Sequence, residues 1–216
     1  MGRLAVVGGN ATAGIDLGGD WVALNRHGDA GYTLPHRIDH EANMRRLLDE
    51  GCDRVLAICS VGGLQPQLGP GTFVCPDDFI ALNTSLTTLE GLDAHRVPGF
   101  DPAWRRRVVG EWGAAVEAPL VDGGVYWHAT GPRLETSAEI RMIARDADVI
   151  GMTMASECVV AGELGLAYAA ICAVVNYANG VGEEPLTMAE VEEGAAAMRS
   201  ALGDALGAIL PEMATS

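Results

Sequence analysis

The stretch RVLAICSVGG, residues 54–63, decides the fold. From Val55 to Cys59 it is continuously apolar, with none of the polar alternation of a strand that has one wet face. Such a strand must be covered on both sides, as in a sheet with helices packed on each face. Similar short runs recur outward from it: RLAVVGG at 3–9, GTFVCPDDFIAL at 71–82, GGVYWHATG at 123–131, DVIGMTM at 148–154 and AYAAICAVVN at 167–176. Helical patterns lie between them. DHEANMRRLLDEG, 39–51, spaces its apolar residues at helical intervals and ends in Gly51, a C-terminal stop. TSAEIRMIARD, 136–146, opens with the capping box Thr136/Glu139. The segment starting at Thr187 repeats that device with Glu190 and then carries Val191, Met198, Leu202, Leu206 and Ile209 on one stripe. Strands alternating with helices predict a single α/β domain over residues 1–216, with a central parallel or mixed β-sheet flanked by helices. Residues 84–102 have no clear period and read as a surface excursion, of a length that often carries function.

Composition narrows the function. The net charge of −15, from 29 acidic against 14 basic residues, repels a phosphate backbone and argues against general nucleic-acid binding. A small anion can still bind in a local basic pocket. The five cysteines, Cys52, Cys59, Cys75, Cys158 and Cys172, are scattered in apolar runs and read as buried thiols, not as a disulfide frame or a zinc knuckle. No apolar run approaches the roughly 18 residues of a membrane span, and no basic-then-apolar leader opens the chain. The expectation is a soluble, cytoplasmic protein with no membrane partner.

Ligands of α/β proteins collect at the carboxyl ends of strands, so the loops there carry the candidates. In VVGGNAT, Gly8 and Gly9 allow close backbone approach to an anion, with Asn10 and Thr12 beside them; a plain tight turn is the alternative. In LNRHGD, Arg26 and His27 offer a fork of donors and an imidazole, which suits a phosphate; a surface Arg beside a structural His fits equally. His36 and His40 lie four apart, but Pro35 and Asp39 put them at a helix entrance, and no metal site is expected. In AICSVGGL, Ser60, Val61, Gly62 and Gly63 admit a flat ligand or a phosphate, or simply pack closely. In GPRLETSAE, Leu134 and Glu135 precede the helix cap, so the carboxylate can point into a pocket or serve the helix dipole. In VVNYANG, Asn176 ends a strand and either faces a ligand or caps the turn before Gly180.

Taken in order, VVGGN, RHGDAGYTLPHRIDHEAN, AICSVGGL, GPRLETSAEIRM, DVIGMTMASE and VVNYANG resemble the trimeric purine nucleoside phosphorylase and methylthioadenosine phosphorylase family, from Leu4 to Ala195. The resemblance implies a phosphorylase-like fold and phosphate-dependent cleavage of a purine nucleoside to free purine and pentose 1-phosphate, without metal or organic cofactor. By matched position, Gly9, Asn10, Arg26, His27, Ser60 and Thr153 would hold phosphate. Val61, Gly62, Leu134, Met152 and Met188 would line the nucleoside, with Leu134 on the purine face and Met152 on the ribose. Glu135 and Asn176 would face the base edge as the catalytic pair. Adenine-specific members resemble one another in having Asp at the position of Asn176 and again two residues on, where this chain has Ala178. An Asn amide brings both a donor and an acceptor, which suits a 6-oxopurine. Inosine, guanosine and 5′-methylthioinosine are the expected substrates, the last because Met188 falls where a His often binds the 5′-hydroxyl. Methylthioadenosine phosphorylase is the alternative, followed by a hydrolysing nucleosidase and a non-catalytic purine-binding homologue. The chain departs from the family pattern in a shorter segment before Arg26, in Asn10 where Ser or Thr is usual, and in Gly31 where His is common. The resemblance also implies a homotrimer, in which His95 or Phe100 would reach the neighbouring subunit's sugar.

Overall fold

A computed structural model describes residues 2–28, 31–183 and 186–215. Their strands form one mixed sheet built around two long neighbours, β3 (Cys52–Gly63) and β9 (Ala167–Tyr177), which run parallel in register from Arg54/Ala167 to Gly63/Tyr177. β1 (Arg3–Gly8) pairs parallel with the lower half of β3, and β2 (Val22–Asn25) extends the sheet beyond it. The upper end of β3 pairs antiparallel with β8 (Val149–Gly151), followed outward by β7 (Val125–His128) and β5 (Asp78–Ile80). On the far side of β9 lie β4 (Phe73–Cys75) and β6 (Leu120–Asp122).

The apolar continuity of β3 is explained by two cores. Val55, Ala57, Cys59 and Val61 face one side, with Met44 and Leu47 of α1 (His40–Asp49) and Met154 and Cys158 of α4 (Met154–Glu163). Leu56 and Ile58 face the other, with Trp104, Val108 and Trp112 of α2 (Pro102–Ala115) and the stripe of α5 (Met188–Ala214). A smaller core under α3 (Ser137–Ile143) joins Ile140 and Ile143 to Leu64 and Ala178. All five cysteines are free and buried.

The helix signals read from the sequence act as expected. Asp39 accepts from the Ala42 N–H, both capping boxes form, and Gly51 takes φ +80°, the left-handed region that a side chain resists. Other expectations need correction. GTFVCPDDFIAL is two strands, β4 and β5, because Pro76 cannot donate to a ladder and the chain changes partner there. DVIGMTM stops as a strand at Gly151; Thr153 is already the N-cap of α4. The excursion is held to the body at Glu163, whose carboxylate accepts from the Thr87 and Thr88 hydroxyls at 2.8 and 2.9 Å. Its end also reverses the expectation for Phe100. That ring is buried in the core, edge-on to Phe79 and beside Tyr168, so it is not free to reach outward, whereas His95 is exposed.

Candidate functional site

The site begins as a fork in the sheet. Pairing of β3 with β1 ends at Ala57/Val7, and pairing with β8 begins only at Gly62/Ile150. The guanidinium of Arg26, at the end of β2, fills the gap: Nη1 donates to the Ile58 carbonyl at 2.8 Å and Nη2 to the Val7 carbonyl at 3.1 Å. Its Nε donates at 2.6 Å to one oxygen of Glu157, and Nη2 reaches the other at 3.3 Å. Glu157 is fully buried in α4, and Tyr168 of β9 donates to it at 2.8 Å. Burial works against the Arg26 charge, but Glu157 more than offsets it, so the guanidinium stays protonated. Behind this pair, His40 Nδ1 lies 4.0 Å from Glu157 and His128 Nε2 lies 3.4 Å from the Ser156 hydroxyl. Burial, and then His40, hold His128 down to about 4, so it is a neutral support of the first turn of α4.

Above the fork opens a cavity of about 360 Å³. Asn10, Arg26, His27, Ser60 and Thr153 meet at one end of it. Thr153, the N-cap of α4, lines the cavity and makes no side-chain capping bond, while its N–H donates to the Tyr126 hydroxyl at 3.3 Å. His27 is oriented by the Thr33 carbonyl, 2.8 Å from Nδ1. Because a carbonyl only accepts, Nδ1 carries a proton and Nε2 is left facing the Gly9 loop. Burial, opposed by that bond and aided by Arg26, lowers the His27 pKa. Gly9 stands apart from this group. Its N–H donates to Thr12 Oγ1 at 3.0 Å and it lines an adjoining cavity, while a Cβ there would run into the Arg26 guanidinium. Its φ of −155° is ordinary, so glycine is required at this position for space alone.

The other end of the cavity is apolar with a polar edge. Val61 and Gly62 line it, and a bulge at Val175 of β9 sets Asn176 opposite Gly62. A Cβ on Gly62 would press on the Asn176 amide at 3.3 Å. The Asn176 amide donates to the Tyr177 carbonyl at 2.7 Å, which leaves its second N–H and its oxygen to the cavity. Leu134 and Glu135 enter from the loop before α3. Arg133 pairs with Glu139 at 2.7 Å, the same carboxylate that caps Thr136, and the Asn179 amide donates to the Glu135 carbonyl at 3.0 Å. Desolvation raises the Glu135 pKa. Gly131, at φ +66°, also makes room for Met152, whose sulfur a Cβ would touch at 2.6 Å. Met188, half exposed at the start of α5, closes this end with Leu186 and Val191.

One cavity therefore gathers every residue matched to phosphate, nucleoside or base except Gly9, which lines the adjoining cavity with Gly8 and Thr12; Gly63 lines neither. Sequence reasoning missed Glu157, Asn179 and Tyr32. The signal for Glu157 was a lone carboxylate inside the apolar run MASECVV, which demands a buried partner. Asn179 and Tyr32 carry no comparable signal.

The chain matches the model of the phosphorylase superfamily over residues 6–211. It belongs to that superfamily. It is 38% identical over 186 residues to the "probable 6-oxopurine nucleoside phosphorylase" of Archaeoglobus fulgidus, covering 84% of this chain and 76% of the relative. It is 35% identical over 208 residues to the "probable S-methyl-5′-thioinosine phosphorylase" of Xanthomonas campestris pv. campestris, covering 92% and 83%. Its fold is shared with the methylthioadenosine phosphorylase from Schistosoma mansoni in complex with adenine, at a TM-score of 0.83 and 21% identity over 100% of this chain and 93% of that one. Among the described residues, no helix is long and apolar enough to cross a membrane.

Proposed function

We propose that this superfamily member cleaves the N-glycosidic bond of 6-oxopurine nucleosides with phosphate, acting on inosine, guanosine or 5′-methylthioinosine. The observation that carries the reading is the single cavity with a fixed guanidinium at one end and Asn176 with Glu135 at the other. Phosphate sits among Asn10, Arg26, His27, Ser60 and Thr153, beside the loop of Gly9. One of its oxygens attacks the anomeric carbon as the C–N bond breaks, and the bonding pair passes into the purine. Holding the anion below the sugar lowers the barrier by proximity and by stabilising the oxocarbenium-like transition state. Asn176 donates its free N–H to O6 and accepts from protonated N7, while Glu135 accepts from N1–H. Val61, Gly62 and Leu134 flank the base and Met152 the ribose. Met188, with Leu186 and Val191, makes the 5′ end apolar, which favours a methylthio group. No cofactor takes part.

The enzyme works as a cytoplasmic homotrimer of single-domain subunits in purine salvage. The exposed apolar side chains Leu92 and Val97 on the excursion, with Leu82 just before it, support the assembly, and exposed His95 is the residue placed to reach across it.

Free base should be released from inosine and 5′-methylthioinosine only when phosphate is present. Release without phosphate, or adenine released in preference to hypoxanthine, would overturn the reading. Asn176→Asp removes the donor to O6 and should lower activity on inosine about thirtyfold relative to adenosine. An unchanged ratio would show that Asn176 does not read the base.

A further inference from the structure

Tyr32 has no part in the arrangement above, yet it lines both the main cavity and the adjoining one of about 480 Å³. Its ring stacks on the His27 imidazole with centroids 4.5 Å apart and planes at 20°, and its hydroxyl faces the Asn10 side chain. More than half of the residue is exposed, so hydrophobic burial does not account for its position. The two residues it touches come from different loops, one after β1 and one after β2, and both stand at the cationic end. Asn10, Tyr32 and His27 together form the wall between the two cavities.

On the phosphorolysis reading, we propose that Tyr32 is a positioning residue for phosphate, clamping His27 by stacking and Asn10 by its hydroxyl so that both meet the anion in one arrangement. His27 can donate to phosphate from Nε2 only when the ring is cationic, since Nδ1 already serves Thr33. The groups facing that ring are the Thr33 carbonyl on its own loop, Arg26 beside it, Glu157 of α4, His40 of α1 and the ring of Tyr32. Of these, Tyr32 is the one that shields the imidazole from solvent without adding charge at neutral pH. Removing it admits water, so the lowered His27 pKa rises toward the ordinary value and the loss of phosphate affinity with pH begins later.

The test compares wild type, Tyr32→Phe and Tyr32→Ala from about pH 5 to about pH 9. Phosphate KM, nucleoside KM and kcat are measured, with inorganic phosphate binding followed by calorimetry in the presence of hypoxanthine and the His27 ring by NMR. Tyr32→Phe should raise phosphate KM about fivefold and leave nucleoside KM unchanged. Tyr32→Ala should raise it about twentyfold and move the His27 titration upward. Phosphate's own ionisation is common to all three proteins, so the difference between them isolates His27. Phosphate KM, phosphate binding and His27 titration all within about twofold of wild type would overturn the proposal, as would equal losses for both substrates. If wild type releases no base but its phosphate binding still depends on Tyr32, the clamp stands and the phosphorolysis reading falls.

Discussion

The two ends of the cavity are built by different physics. At the cationic end Arg26, His27 and Thr153 are buried, and the guanidinium is held by a side chain far away in sequence, Glu157, which lies 131 residues from Arg26. At the apolar end Leu134, Glu135 and Asn176 are partly buried and held by neutral or solvent-exposed contacts: Asn176 by the next carbonyl, and Leu134 and Glu135 by a loop tied down at the Arg133–Glu139 pair and at the Asn179 amide. A fixed small anion needs a preorganised charge, and a charge out of water needs a buried counter-charge. A base that must enter and leave needs a wall that is shaped but accessible. The difference teaches that substitutions at the first end should affect stability and phosphate together, whereas those at the second should affect the nucleoside alone.

The largest effect should come from Glu157→Gln, which leaves Arg26 charged and buried without its partner. Unfolding free energy in urea should fall by about 3–5 kcal/mol, and phosphate KM should rise with it. A variant as stable as wild type would break the contrast between the ends. Next comes His128, whose pKa is depressed from 6.5 to about 4 in the folded protein. Above the unfolded value both states are neutral and stability is intact. As pH falls from 6.5 toward about 4 the unfolded chain takes up a proton that the folded one refuses, and stability on the order of 3 kcal/mol is lost. His128→Gln should remove that part of the acid limb; an identical pH profile of urea midpoints would show that the support under α4 is not titrating. The smallest effect belongs to the apolar end. Asn179→Ala deletes the bond to the Glu135 carbonyl, about 1 kcal/mol, and should raise nucleoside KM about fivefold without moving phosphate KM. A matching rise in phosphate KM would mean that the ends are coupled.

How far these features were legible depends on the range of the interaction that makes them. Asp39, Thr136 and Thr187 announced three helices because a cap and its helix are neighbours in sequence. α4 escaped because it is packed almost all round: Met154 to Cys158, Val160 and Ala161 are all buried, so no polar face gives it a period. α2 does carry a signal, Asp101–Pro102 followed by Trp104, Val108 and Trp112 at four-residue intervals, but three consecutive arginines and Gly110 obscured it. Phe100 was placed outside because it ends an aperiodic segment, and only the packing of Phe79 and Tyr168 shows that the chain has turned back into the core by then. Arg26 was visible as a candidate; the carboxylate that fixes its charge was not.

The sequence by itself determined the two-faced burial of β3, the capped helices, and the residues that meet around the cavity, since each follows from short-range pattern or from an ordered set of motifs. Only the tertiary structure decided how those residues are held. It placed the fork between β1 and β8, the plug that Arg26 makes there, the Glu157 and Tyr168 partners behind it, and the clamp of Tyr32 on His27 and Asn10. The reason is physical: pairing a buried charge and stacking two rings depend on distances across elements, and those distances are fixed only when the sheet and its helices pack together.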